Sequence, residues 1–273
     1  MFVTTQGINH HVIVANADGE RTFVDPSAPV VAMSHGAVAD SFASYYFCLH
    51  LPLARMGFTN VMYDRRAHGR TPDAPGTLTL QQASADLAGI LDAVGATAPV
   101  HLIGNSYGAS VVIDFAVHHP DRTASIVLLE GSPPTYEWRQ YMLDSLVPAL
   151  DVFDAERNRI LQTGNSTWYG RRAKAAVAMV ENTTLFRDTG ASRVVDASML
   201  GRLTMPILGL YGGASQAGAM ERTQRVMGQL PNFELEVIPD ASHLLLFDSA
   251  PAVRQALASF YRRHEPRLHA SVA

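Results

Sequence analysis

What most constrains the fold of this chain is an alternation of short apolar runs with segments of helical period, repeated through most of its 273 residues. The runs are Val30-Val-Ala-Met33, Val61-Met-Tyr63, Val100-His-Leu-Ile103, Ser125-Ile-Val-Leu-Leu129, Ile207-Leu-Gly-Leu-Tyr211 and Glu234-Leu-Glu-Val-Ile238. Each has the length of a strand, and most are apolar at consecutive positions, so both faces want burial. That is the signature of parallel strands covered on both sides. Between them, Leu87, Ile90, Leu91 and Val94 recur at helical spacing, as do Val253, Leu257 and Phe260 in a segment that Pro251 can start and Asp248 or Ser249 can cap. Strand–helix alternation predicts a parallel sheet with helices on both faces. Residues 1–29 read as an antiparallel lead-in, with alternation in Ile8-Asn-His-His-Val-Ile-Val14.

The alternation breaks once. After the strand ending near Glu130, no further strand pattern occurs until Ile207. The intervening segment is helical in character: Trp138, Tyr141, Met142 and Leu146 share a face, and an Ala-rich stretch spans 173–178. About 70 residues between neighbouring strands make an inserted subdomain rather than a loop. The expected division is a core of 1–131 and 204–273 with an insertion of 132–203. The polar segment after Tyr261 is expected to fray.

Hydrophobic residues at 47% and charged residues at 17% give enough core material for a folded protein. A net charge of −4, without any block of Lys and Arg, argues against nucleic acid or an acidic membrane surface as partner. The apolar stretches fall well short of the ~20 residues that span a bilayer. A single cysteine, Cys48, excludes an internal disulfide and a cysteine-built metal site. The opening Met1-Phe-Val-Thr-Thr-Gln-Gly lacks a secretory pattern, so a cytoplasmic location is expected.

Gly104-Asn-Ser-Tyr-Gly108 directly follows a buried run and directly precedes a helical one. G-x-S-x-G in that setting is a nucleophile elbow, in which a tight strand–helix turn exposes the serine hydroxyl at the start of a helix. A hydroxyl needs a base to become a useful nucleophile. His243, in Asp240-Ala-Ser-His-Leu-Leu between the last strand and the last helix, stands where a base following the serine in chain order belongs. Among the other histidines, His101 reads as packed core, His118 and His119 as a helix end, and His10, His11, His50, His264 and His269 show no partner pattern. The turn Ser34-His35-Gly36-Ala37 is placed to offer the N–H of Ala37, with that of Tyr107, to an oxyanion. The charges of Asp64-Arg-Arg-Ala-His-Gly-Arg-Thr71 are expected to knit a loop.

These segments together resemble the α/β-hydrolase superfamily. The likeness rests on His35-Gly36, the Asp64–Thr71 loop, Gly104-Asn-Ser-Tyr-Gly108 and Ala241-Ser-His243, and covers nearly the whole chain. It implies an α/β-hydrolase fold: a mostly parallel eight-stranded sheet, helices on both faces, and a helical cap in the insertion. It also implies a carboxylate after the strand before the last, where this chain reads Tyr211-Gly-Gly-Ala-Ser215-Gln. Ser215 cannot orient an imidazolium by charge. Glu130 is the expected replacement, because its strand lies between the nucleophile strand and that of Tyr211 in the family's sheet order. Certain haloalkane dehalogenases resemble this in placing their acid there. Asp240 and Asp248 are the lesser alternatives.

In the cap, Trp138, Tyr141, Met142 and Trp168 are the expected substrate contacts, whereas Arg171-Arg172-Ala-Lys174 reads as a solvated helix face. Cys48 reads as a buried small residue. The expected activity is a cofactor-free, metal-free serine hydrolase acting on a small-molecule ester or thioester, with Ser106, His243 and Glu130 as its triad. Two alternatives stand beside it: carbon–carbon bond hydrolysis or cyclisation of a biosynthetic intermediate on the same site, and a ligand-binding protein with weak catalysis. Dehalogenase and epoxide-opening chemistry are disfavoured, because the enzymes it resembles use a carboxylate at the elbow. A homodimer is compatible with the sequence.

Overall fold

The computed structural model describes residues 1–38, 40–144, 168–266 and 268, with the side chains of 168–173 outside that description. Nine strands form one sheet: β1 (Phe2–Thr5), β2 (Ile8–Asn16), β3 (Gly19–Arg21), β4 (Val30–Ser34), β5 (Thr59–Tyr63), β6 (Val100–Asn105), β7 (Thr123–Leu129), β8 (Ile207–Gly212) and β9 (Phe233–Ile238). Their order is β1-β2-β5-β4-β6-β7-β8-β9, with β3 added to β2. From β5 to β9 every pairing is parallel, while β1, β2 and β3 pair antiparallel with their neighbours, as the lead-in predicts. The ninth strand is the short Gly19–Arg21, exposed at every residue and too polar to register as an apolar run.

The helices are α1 (Ala43–Tyr45), which continues through a π turn at Tyr46–His50 into α2 (Leu51–Arg55), then α3 (Leu80–Ala93), α4 (Tyr107–His118), α5 (136–144), α6 (Trp168–Asn182), α7 (Leu185–Gly190), α8 (Ala197–Leu200), α9 (Ala219–Met227), α10 (Leu245–Asp248) and α11 (Ala250–His264). The continuously apolar strands explain the two-layer cover. Val30 and Ala32 of β4 face the core shared with α3 and α4, through Leu87, Ile90, Leu91, Val112 and Ile113. Val31 and Met33, pointing the other way, join Leu49 and Leu53 with Val253, Leu257 and Phe260 of α11. Burying a side chain of this size stabilises by roughly 1.5–3 kcal/mol, so a polar substitution on either face of β4 would disrupt a whole layer.

Thr79 caps α3 by accepting from Gln82 N, and Pro251 lies in the first turn of α11. The expected side-chain cap of α11 does not form: Ser249 makes no capping bond, and Asp248 instead accepts from the backbone and hydroxyl of Ser242. β9 also differs from a doubly buried strand. As the last strand of the sheet it leaves Leu235 and Val237 exposed, and Glu234 and Glu236 guard the edge with charge.

Helices α5–α8 lie in the long connection from β7 to β8. Polar ties dock its C-terminal part onto the core: Leu78 N donates to Asp188 Oδ2 at 3.0 Å, Leu80 N donates to Ser192 Oγ at 3.0 Å, and Arg193 pairs with the buried Asp114. Trp138 packs against Tyr107 with ring centroids 5.8 Å apart. Leu146 lies outside the described residues, as do the side chains of Trp168, Arg171 and Arg172. Among the described residues no helix is long and apolar enough to cross a membrane.

Candidate active site

β6 ends at Asn105 and α4 begins at Tyr107, which leaves Ser106 alone in the turn at φ 52°, ψ −118°. A non-glycine residue in that region stores about 1–3 kcal/mol of strain. The surroundings over-determine it. A Cβ on Gly104 would collide with the backbone of Gly108 and Ala109, and one on Gly108 with the carbonyls of Ser34 and His35. Ser106 N donates to Leu129 O at 2.8 Å, anchoring the elbow to β7.

His243 lies between β9 and α10, at the same end of the sheet. Its Nε2 is 3.1 Å from Ser106 Oγ, and its Nδ1 is 2.9 Å from Glu130 Oε2. Glu130 directly follows β7, at φ 51°, and its residue exposure is 2%. Such a buried carboxylate is tolerable only when its oxygens are satisfied. Oε1 accepts from Gly212 N at 2.6 Å, and Oε2 accepts from Ser215 Oγ at 2.6 Å. The position where the resemblance implies an acid therefore supplies a donor to the acid of the neighbouring strand. Asp240 is exposed in the turn before His243, and Asp248 is engaged with Ser242.

On the other side of Ser106, the chain leaving β4 passes close to the nucleophile. A Cβ on Gly36 would stand 3.5 Å from Ser106 Cβ. The Gly36 carbonyl is held by two donors, Arg65 Nη2 at 2.6 Å and His35 Nδ1 at 2.7 Å. His35 Nε2 accepts from Arg65 N at 3.0 Å, so the proton sits on Nδ1. With no cis peptide in the described chain, the N–H of Ala37 points opposite to the Gly36 carbonyl and thus away from Arg65. The Tyr107 amide is in the first turn of α4, where N–H groups lack intrahelical partners.

Burial, followed by the nearby Arg65 cation, holds the His35 imidazole well below its usual pKa of 6.5. Arg65 is 5% exposed, its guanidinium 4.7 Å from the Tyr107 ring centre, and among the described residues no carboxylate pairs with it. Asp40 ties the same loop to the elbow. It accepts from Gly36 N at 2.8 Å, Ser41 N at 2.9 Å, Asn105 Nδ2 at 3.2 Å and the hydroxyl of Ser44. No sequence spacing announces Asp40, and Arg65 is expected from the sequence only to help knit the Asp64–Thr71 loop; the fold brings both to Gly36.

A cavity of about 220 Å³ opens beside Ser106 and His243, walled by Trp138, Tyr141, Met142 and Arg222. Three of the four expected substrate contacts thus line it. The fourth, Trp168, has its side chain outside the description. The Asp64–Thr71 loop is knit by its charges: Asp64 accepts from the amides of Phe42 and Arg70, and Arg66 makes a two-pronged pair with Asp86. His11, which showed no partner in the sequence, faces Asp64 at 3.0 Å. Cys48 is half-buried and gives its thiol to Leu246 O at 3.0 Å, and burial pushes its pKa up.

The model of the Alpha/beta hydrolase family matches residues 30–256. The chain belongs to the alpha/beta hydrolase family. Curated relatives that it matches are named as hydrolases, and this protein is an enzyme of the hydrolase class. It is 25% identical over 234 residues to the 2-hydroxy-6-oxononadienedioate/2-hydroxy-6-oxononatrienedioate hydrolase of Burkholderia vietnamiensis, covering 77% of this chain and 78% of that protein. It is 26% identical over 263 residues to Epoxide hydrolase A of Mycobacterium tuberculosis, covering 95% and 69% respectively. The fold is also that of a hydrolase crystal structure from Pseudomonas aeruginosa, with TM-score 0.74, 21% identity, and coverage of 95% of this hydrolase and 97% of that chain.

Proposed function

We propose that this hydrolase cleaves a small-molecule ester or thioester through an acyl-enzyme on Ser106. The observation that carries the reading is the continuous path from Ser106 Oγ to His243 Nε2 at 3.1 Å and from His243 Nδ1 to Glu130 Oε2 at 2.9 Å. Nδ1–H donates to Glu130, which leaves the Nε2 lone pair to take the serine proton as Oγ attacks the acyl carbon. The oxyanion that forms accepts from the N–H groups of Ala37 and Tyr107. The protonated imidazole then gives its proton to the leaving oxygen or sulfur. A water molecule repeats the cycle on the acyl-enzyme, losing its proton to Nε2 and expelling Ser106 Oγ.

Arg65 acts on the oxyanion side without touching substrate. Its bond to the Gly36 carbonyl fixes the Ala37 N–H and polarises that peptide with a buried charge. The insertion 132–203 serves as a cap, since Trp138, Tyr141 and Met142, from its described part, wall the cavity.

A second reading, cleavage of a carbon–carbon bond beside a ketone, draws support from the likeness to the Burkholderia vietnamiensis enzyme named for a dienedioate substrate. The epoxide-opening activity in the name of the other relative lacks its carboxylate nucleophile here, because the elbow carries Ser106. A fluorophosphonate probe tests the first reading. Labelling of Ser106, with loss of 4-nitrophenyl ester turnover in step with labelling, supports it. Absence of both label and ester turnover defeats it.

A further inference from the structure

Arg222, in the first turn of α9, reaches the cavity that contains Ser106 and His243. Its Nη2 donates to Ala217 O at 2.7 Å, its Nε to Ser132 Oγ at 3.4 Å, and its guanidinium carbon stands 3.7 Å from the centre of the Tyr141 ring. The carbonyl and the ring fix the guanidinium plane. Nη1 donates to no acceptor among the described residues, and no described carboxylate pairs with this arginine.

Other arginines of the molecule behave differently. Arg66, Arg193 and Arg225 each reach a carboxylate: Asp86, Asp114 and Glu137. Arg65 has no carboxylate partner either, but it is buried behind the Gly36 loop and does not line this cavity. The other charged group in the wall, Glu130, has both oxygens engaged, by Gly212, Ser215 and His243. The remaining wall is largely apolar, with Trp138, Met142, Ala217 and Ala219. The cavity thus pairs a body suited to hydrocarbon with one cation, among the described residues, whose Nη1 donors are open.

We propose that Arg222 is a carboxylate-binding subsite, so that the substrate is an acyl compound bearing a free carboxylate at a distance from the scissile carbonyl. The carboxylate oxygens accept from the open guanidinium N–H groups, while the connecting methylene or vinyl chain lies along Trp138 and Met142. Charge-assisted pairing of this kind discriminates more sharply than apolar contact. The proposal specifies the substrate class for the acyl chemistry of Ser106 and rests on that reading for turnover, but not for binding.

The test uses mono(4-nitrophenyl) esters of glutaric, adipic and suberic acids against the corresponding neutral methyl 4-nitrophenyl diesters, with nitrophenol release as the readout. The expected result is a preference of about tenfold or more in kcat/KM for the charged member at one or more chain lengths. R222Q brings the ratio close to one, and R222K keeps an intermediate ratio. Equal or faster cleavage of the neutral diester at every length overturns the proposal, as does an unchanged ratio in R222Q. If R222Q does not fold, as judged by its melting curve, the wild-type ratio and R222K decide.

A second arm needs no turnover: calorimetric binding of 6-oxoheptanoate and of 2-octanone, an uncharged ketone of similar length, neither of which carries an ester bond. The acid is expected to bind about tenfold tighter than the ketone in the wild type, with the difference lost in R222Q. Arg222-dependent binding without cleavage of any nitrophenyl ester would keep the subsite and remove the acyl chemistry. Cleavage without charge preference would remove the subsite and keep the chemistry.

Discussion

Ser215 donates a 2.6 Å hydrogen bond to Glu130 Oε2, the same oxygen that faces His243 Nδ1 at 2.9 Å. The end of β8 and the end of β7 therefore converge on one carboxylate. Moving the acid between these strands should be a small structural step. E130Q is expected to lower kcat by about 10³–10⁴, the cost of removing the carboxylate from a working triad. The double variant E130Q/S215D returns a carboxylate from β8 and should recover at least about tenfold over E130Q. S215D alone sets two carboxylates against each other and should be slower than wild type. Steady-state kinetics on the three variants check the set, and an E130Q enzyme of undiminished rate would remove Glu130 from the mechanism.

Arg65 separates stability from catalysis. A buried guanidinium without a paired carboxylate carries an uncompensated desolvation cost, which an apolar side chain of similar volume removes. R65M is therefore expected to unfold at a urea midpoint equal to or above that of wild type. It should still lose about tenfold or more in kcat with little change in KM, because the Gly36–Ala37 peptide loses its stronger donor. A stable R65M enzyme with wild-type kcat would show that Arg65 does not act on the oxyanion.

Gly108 tests the packing of the elbow. Its Cα lies so close to the Ser34 and His35 carbonyls that an added methyl group must displace β4 or α4. G108A should cost about 3 kcal/mol or more and abolish activity together. Chemical denaturation measures the first, and a variant of wild-type stability would mean that the close approach is not tight.

The His35 and His68 rings meet at a tilt, with centroids 4.9 Å apart beside Arg65, and burial followed by that cation holds both imidazoles well below 6.5. Both are neutral in the folded protein at neutral pH. In the unfolded chain they protonate near their ordinary pKa, so the unfolded state binds more protons below about pH 6.5. Their stabilising contribution is complete above that pH and declines as the pH falls toward the folded values. The limit is about 1.4 kcal/mol per pH unit for each histidine. Urea midpoints should thus fall between pH 7.5 and 5.5 in the wild type, and fall less steeply in H68N. Equal slopes would exclude His68 from the linkage.

The features legible in the sequence are the local ones. The buried strands announce themselves because β4, β5, β7 and β8 are apolar on both faces, and the elbow because two glycines flank one serine at a strand–helix junction. Glu130 is legible by strand order, since the residue after β7 must emerge beside the end of β8. The hidden features depend on register and long-range packing. β3 is polar and only three residues long. The edge position of β9 follows from sheet order rather than from its own residues. Asp40 and Arg222 carry no motif, and Arg65 is legible only as one charge of the Asp64–Thr71 loop, because their partners (Asn105, Tyr141 and Gly36) are remote in the chain and meet them only in the folded molecule.

The most direct test of the account is the mass of the enzyme during turnover. Rapid acid quench of wild-type protein with a 4-nitrophenyl ester, followed by peptide mapping, should find the acyl group covalently on the Ser106 peptide during turnover and absent from S106A. Steady nitrophenol release with no acyl group on Ser106, or an S106A enzyme that turns over like the wild type, would contradict it.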